Sequence, residues 1–198
     1  MHLPGWLALP EQVSLVRECQ RLIDGPTGGY VPMVRGGGRM HVRMLCLGQH
    51  WNPLTYSYQS TRGDYDGAPV PAVPSSLADL ARRLASDAGM TIEPDICLLI
   101  YYPPDGRMGV HQDKDESRAS LDAGVPVVSI SVGDTARFVF GGLRRHERME
   151  PLLLASGDGF VFGGAARLRY HGVTRILPGT APAALGLAGR FNLTFRQY

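Results

Sequence analysis

The sequence predicts an α+β fold, a double-stranded β-helix (jelly roll) with N-terminal helices packed on one sheet. Three observations carry that expectation. Twenty-five glycines and fifteen prolines among 198 residues demand many turns, which suits short strands better than a helical bundle. Two early segments repeat apolar residues at the helical period. After residue 94 the chain changes to short extended stretches separated by turn residues. No internal repeat or linker divides it, so residues 1–198 are expected to form one domain.

Residues 1–9, with Trp6, Leu7 and Leu9, read as an extended lead-in. Pro10 and Glu11 open a helix that runs to Ile23 on Val13, Val16, Cys19 and Leu22, and Asp24-Gly25-Pro26 stops it. Tyr30 to Leu47 reads as a flexible hairpin, two strands around a mobile Gly36-Gly37-Gly38 turn. Residues 46–74 set Trp51, Tyr56, Tyr58 and Tyr65 among Gly, Pro, Asp and Ser. A long irregular stretch this rich in aromatics points to a lid rather than a disordered loop. The lid is placed at about 30–74.

Pro74-Ser75-Ser76 is expected to cap a second helix from Leu77 to Ala88, and Gly89 to end it. The jelly-roll core then occupies about 94–198. Its extended candidates are Ile96–Tyr102, Met108–Gln112, Val127–Val132, Arg137–Phe140, Leu152–Leu154, Phe160–Phe162, His171–Ile176 and Arg190–Arg196. Gly133-Asp134-Thr135 and Gly157-Asp158-Gly159 read as tight hairpin turns.

Bulk chemistry excludes little. The net charge is +2, so neither nucleic acid nor membrane is implied by charge alone. Three scattered cysteines have no metal-ligand spacing and suit reduced thiols. With no leader-like N-terminus and no long apolar run, the expected location is the cytoplasm. The expected state is a monomer without an obligate protein partner.

The chemistry concentrates in two places. His111 and Asp113 lie two residues apart on an expected strand, so imidazole and carboxylate would face the same way. With a histidine from another strand they would form the facial triad of non-haem iron(II) oxygenases. His171, at the start of a later strand, is the candidate; His2 is terminal, and His41, His50 and His146 lie in polar surroundings without a carboxylate at metal spacing. The last strand alternates Arg190, Asn192, Thr194 and Arg196 with Phe191, Leu193 and Phe195. Either its polar face is solvated or it lines the interior and binds an anion. The two arginines stand roughly 20 Å apart along the strand. They would hold the ends of a small dicarboxylate such as 2-oxoglutarate rather than grip one carboxylate.

The motifs His111-Gln112-Asp113-Lys114-Asp115-Glu116, Pro126 to Ser131, Tyr170-His171-Gly172 and Arg190 to Gln197 together resemble the AlkB family, close to its bacterial DNA-repair branch. The resemblance is strong from residue 94 onward and looser before it. It implies iron(II) held by His111, Asp113 and His171, with 2-oxoglutarate and O2 as co-substrates, and 2-oxoglutarate held by Tyr102, Arg190, Asn192 and Arg196. It implies that Asp115 reads the base, that Trp51 and Tyr58 belong to a nucleotide-recognition lid, and that Arg145 lies at the substrate mouth. The implied reaction is oxidative demethylation of bases such as 1-methyladenine and 3-methylcytosine in alkylated DNA, with release of formaldehyde, succinate and CO2. Ile100 departs from the family pattern, which has an asparagine two positions before the tyrosine. The alternatives are a related oxygenase acting on RNA or protein, and a non-catalytic, cupin-like binding module.

Overall fold

A computed structural model describes residues 1–198. Strand β1 (His2–Leu3) leads into helix α1 (Leu9–Ile23). β2 (Arg43–Leu47), β3 (His50–Asn52) and β4 (Ser57–Gln59) precede helix α2 (Ser75–Asp87). β5 (Ile96–Tyr102), β6 (Met108–His111) and the short helix α3 (Arg118–Asp122) follow. β7 (Val127–Gly133), β8 (Thr135–Phe140), β9 (Glu150–Leu154), β10 (Gly159–Phe162), β11 (His171–Leu177) and β12 (Arg190–Arg196) complete the chain. No helix is long and apolar enough to cross a membrane.

The jelly roll is present as two antiparallel sheets. The major sheet runs β1-β10-β7-β12-β5-β2 and the minor sheet β6-β11-β8-β9. Side-chain alternation sorts the core between them. Cys97 and Leu99 of β5, with Phe191, Leu193 and Phe195 of β12, join Leu15, Val16, Cys19, Leu77, Ala81 and Leu84 beneath the two helices. Leu98, Ile100 and Tyr102 point the other way, toward Ala136 and Ile176 of the minor sheet. The polar face of β12 therefore lines the space between the sheets.

Several local expectations are corrected. Gly133-Asp134-Thr135 and Gly157-Asp158-Gly159 are not hairpin turns, because β7 and β8, like β9 and β10, belong to different sheets. Each turn carries the chain across the sandwich. Pro74, not a serine, precedes α2; no side chain caps the helix, and the Pro74 carbonyl accepts from the Leu77 and Ala78 amides. The hairpin around Gly36-Gly37-Gly38 has one strand, β2, and its other arm is held by isolated bridges, Tyr30 to Met44 and Met33 to Arg39. The stretch read as irregular holds a small sheet, β3 with β4, that joins neither large sheet.

Gly48 sets where that small sheet begins. It has φ +81°, and a Cβ there would lie 1.8 Å from the Asp95 carbonyl oxygen. Its amide donates to the Pro71 carbonyl at 2.7 Å. Gly48→Ala is therefore expected to cost about 2–4 kcal/mol of stability from strain and displaced backbone. The reading is a lowered urea midpoint at unchanged slope.

Candidate active site

β6 and β11 pair so that His111 and His171 stand directly opposite each other. Their ring centroids are 4.5 Å apart. Asp113 reaches the same point by a different route from the one expected. β6 ends at His111, so Asp113 sits in the loop beyond the strand and not two places along it. Side chains fix that loop: Gln112 Nε2 donates to the Leu168 carbonyl, and Arg167 Nη1 donates to the Asp113 carbonyl, both at 2.5 Å.

The three ligand atoms lie within 4.8 Å of one another. His111 Nδ1 donates to the Gly109 carbonyl at 2.8 Å, and His171 Nδ1 donates to the Arg169 carbonyl at 3.0 Å. A carbonyl only accepts, so these protons sit on Nδ1 and each Nε2 turns a lone pair inward. Those lone pairs face Asp113 at 3.6 Å and 3.5 Å. Two imidazole lone pairs aimed at a carboxylate repel one another unless a cation lies among them, and two histidines with one carboxylate suit iron(II).

Electrostatics hold these groups in their ligating forms. Solvent reaches one edge of His111, yet burial, and then the neighbouring His171, push its imidazole down to about 4. Burial alone would raise the Asp113 carboxyl; the Arg196 guanidinium, and then His171, outweigh it and hold it well below the usual range. Arg196 Nη2 donates to Asp113 Oδ1 at 2.5 Å and Nη1 to the Tyr58 hydroxyl at 2.6 Å. Its Nε lies 3.2 Å from Glu116 Oε1, and Glu116 in turn accepts from Arg167 Nη2 at 2.9 Å.

Arg190 is in a different position. It is 1% exposed, and its bonds run to neutral acceptors: the carbonyls of Asp134 and Leu154 at 3.1 and 2.8 Å, and the Ser131 hydroxyl. Its Nε has no partner. Burial pushes it down to about 10, so at neutral pH it remains a cation without a carboxylate in contact. Tyr102 stands opposite it across β5 and β12. A buried cation in this state could take up an anion that brings its own charge. The expectation that the two arginines act alike is thereby revised: Arg196 is already engaged by this chain's own carboxylates.

All eleven residues singled out from the sequence (Trp51, Tyr58, Tyr102, His111, Asp113, Asp115, Arg145, His171, Arg190, Asn192 and Arg196) line one cavity of about 830 Å³. Trp51 Nε1 donates to Asp115 Oδ2 at 2.8 Å, and burial raises the Asp115 carboxyl while this bond lowers it. Tyr58 faces Trp51 across β3 and β4, but its hydroxyl also donates to Glu116 at 3.2 Å and so ties the lid to the metal end. Asn192 has its amide nitrogen on Ser129 and its oxygen bonded by Thr194. Arg145 is exposed on the cavity wall. Ile100 lines the cavity opposite Asn192 and gives it an apolar wall at that point. The sequence reading missed Glu116 as a member of the ion network, and Arg167 altogether. Glu116 carried a signal, its place in the metal motif; Arg167 carried none.

A family model described as the 2OG-Fe(II) oxygenase superfamily matches residues 1–196. The chain is 40% identical over 217 residues to the DNA N(6)-methyladenine demethylase ALKBH1C of Arabidopsis thaliana, covering 99% of this chain and 48% of that protein. It spans about half the length of the Arabidopsis relatives it matches. It is 40% identical over 165 residues to the alpha-ketoglutarate-dependent dioxygenase AlkB of Escherichia coli (strain K12), covering 82% of this chain and 74% of that protein. An AlkB homolog of Caulobacter vibrioides is 42% identical over 197 residues, covering 98% and 85%. The solved structure of OsALKBH1 superposes with a TM-score of 0.92 at 39% identity, covering 100% of this chain and 96% of that one. With the family model and these relatives in agreement, the chain belongs to the 2OG-Fe(II) oxygenase superfamily and, within it, to the AlkB family.

Proposed function

We propose that this chain is an iron(II)- and 2-oxoglutarate-dependent dioxygenase that oxidatively dealkylates nucleic-acid bases, with alkylated DNA as its substrate in direct-reversal repair. One observation carries the reading: a single cavity joins the His111–Asp113–His171 ligand set, the unpaired Arg190 cation and the Trp51–Asp115 pair. His111, Asp113 and His171 would hold the metal. With its co-substrates it would supply the oxidising power to attack an N-alkyl carbon, which acid–base side chains lack.

Each remaining residue has a part suited to its setting. Arg190 would take one carboxylate of 2-oxoglutarate, with the buried Tyr102 hydroxyl beside it. Arg196 keeps Asp113 ionised, so the ligand stays charged whatever else occupies the cavity. Asn192 is held rigid by Ser129 and Thr194 and would brace the co-substrate from the sheet floor. A base must leave its stack to enter the cavity, and a lesion that spoils pairing lowers that cost. Trp51 offers a face for it to stack on, and Asp115 a carboxylate for a positively charged base. The exposed Arg145 would meet a phosphate.

The test is a panel of DNA and RNA oligonucleotides carrying 1-methyladenine, 3-methylcytosine or N6-methyladenine, assayed with iron(II), 2-oxoglutarate and ascorbate. The third lesion is included because the Arabidopsis relatives bear its name. Formaldehyde is expected from methylated DNA, matched one for one by the succinate formed above the substrate-free background. Turnover confined to a methylated peptide would overturn the reading.

A further inference from the structure

As strands, β3 and β4 pair only with each other, so beyond the side-chain bonds of Trp51 to Asp115 and of Tyr58 to Glu116 something other than a shared sheet must hold Trp51 over the cavity. Successive strand residues face opposite ways. Trp51 therefore turns toward the cavity while its neighbour His50 turns the other way, where it is 1% exposed. His50 Nε2 bonds Asp64 Oδ1 and lies 3.2 Å from the Tyr30 hydroxyl, which donates to Asp64 Oδ2 at 2.8 Å. Tyr30, which the sequence reading put at the start of the lid, is bound to the body: its amide and carbonyl both bond Met44 of β2, a strand of the major sheet.

A second tie lies alongside. The Arg62 guanidinium sits 5.2 Å from the Tyr30 ring centroid and 4.9 Å from that of Tyr65, and the two rings stack at 4.4 Å. Arg62 also donates to the Gly28 carbonyl at 3.0 Å. His50, Arg62 and Asp64 are thus buried polar groups outside the metal site; His50 and Asp64 bond Tyr30 across the junction between lid and body, and Arg62 reaches the Gly28 carbonyl, with its Nε 3.3 Å from the Asp66 carboxylate. Burying them without such partners would be costly. We propose that the Tyr30–His50–Asp64 network, with Arg62 against its tyrosines, is the positioning device that fixes Trp51 over the cavity, and hence the enzyme's grip on a nucleic-acid base. This rests on the reading of Trp51 as the base-stacking residue.

Two mild variants test it: Asp64→Asn, which keeps shape and removes charge, and Tyr30→Phe, which removes one hydroxyl. Each is expected to raise KM for a 1-methyladenine DNA oligonucleotide about tenfold, since a misplacement of an ångström or less is costly at a bound substrate. kcat should stay within about twofold, and substrate-free conversion of 2-oxoglutarate to succinate should not change. Trp6→Phe leaves Trp51 as the one tryptophan of two, so acrylamide quenching in that background reads the lid directly and should rise in both variants. Wild-type KM and wild-type quenching would overturn the proposal, as would a parallel fall in oligonucleotide turnover and substrate-free turnover, the mark of general damage. If wild-type protein processes no oligonucleotide, the functional reading fails on its own account, and quenching still decides whether the network holds Trp51.

Discussion

Asp113→Ala is expected to remove activity almost completely, by at least about a thousandfold in formaldehyde release from methylated DNA. The loss has two sources at one residue. Asp113 is the sole carboxylate among the three converging ligands, so without it two neutral imidazoles face a divalent cation with no charge to balance it. It is also the carboxylate on which Arg196 Nη2 ends. In the variant a buried guanidinium would stand beside the metal position, held only by Glu116 and Tyr58, and would repel the cation. Calorimetric titration with iron(II) under anaerobic conditions should show the weakened binding directly. Retained turnover in Asp113→Ala would sink the ligand assignment.

Arg190→Met is the second large effect. The side chain volume is nearly kept, while the one buried cation without a carboxylate in contact is lost. Removing one partner of a buried charge pair costs about 2–5 kcal/mol, so the KM for 2-oxoglutarate should rise by a factor of about 30 or more. The variant separates the two arginines. Arg196 is tied to Asp113, so its loss should weaken metal and co-substrate binding together; loss of Arg190 should weaken the co-substrate and leave manganese binding intact. The rise in melting temperature that 2-oxoglutarate gives the manganese-loaded wild type should disappear. An unchanged KM would mean that the anion is held elsewhere.

How much of this was legible in the sequence depended on whether a feature was local. β5 and β12 were legible to the residue: the apolar run of β5 lies between Pro94-Asp95 and Pro103-Pro104, and the strict alternation of β12 starts directly after Gly189. The polar face of β12 was legible only as a choice between solvent and interior; which way it turns is settled by the sheet it joins and the second sheet packed across from it. The turns at Gly133 and Gly157 were misread because Gly-Asp looks the same whether the chain returns to its own sheet or crosses to the other. β3 and β4, three residues each, are too short to show a period. Asp113 was placed in the right cavity on partly wrong grounds: the two-residue spacing held, but the loop and Arg167 aim the carboxylate, not the pleat. Nothing near Arg167 tells that it is buried, because its three acceptors come from Asp113, Glu116 and Val125, more than forty positions away.

The order of the major sheet has a consequence for how the protein must be made. β12 is the last strand synthesised of the twelve, yet it stands in the middle of that sheet, between β5 and β7. Until residue 196 has left the ribosome, both of those strands offer an unpaired apolar edge, the kind of surface on which nascent chains aggregate. Arg190 and Arg196 arrive on the same late strand. Closing the sheet and completing the cavity are therefore one event in time, and no earlier stage of folding has the Arg196 contact that holds Asp113 ionised or the Arg190 cation beside Tyr102.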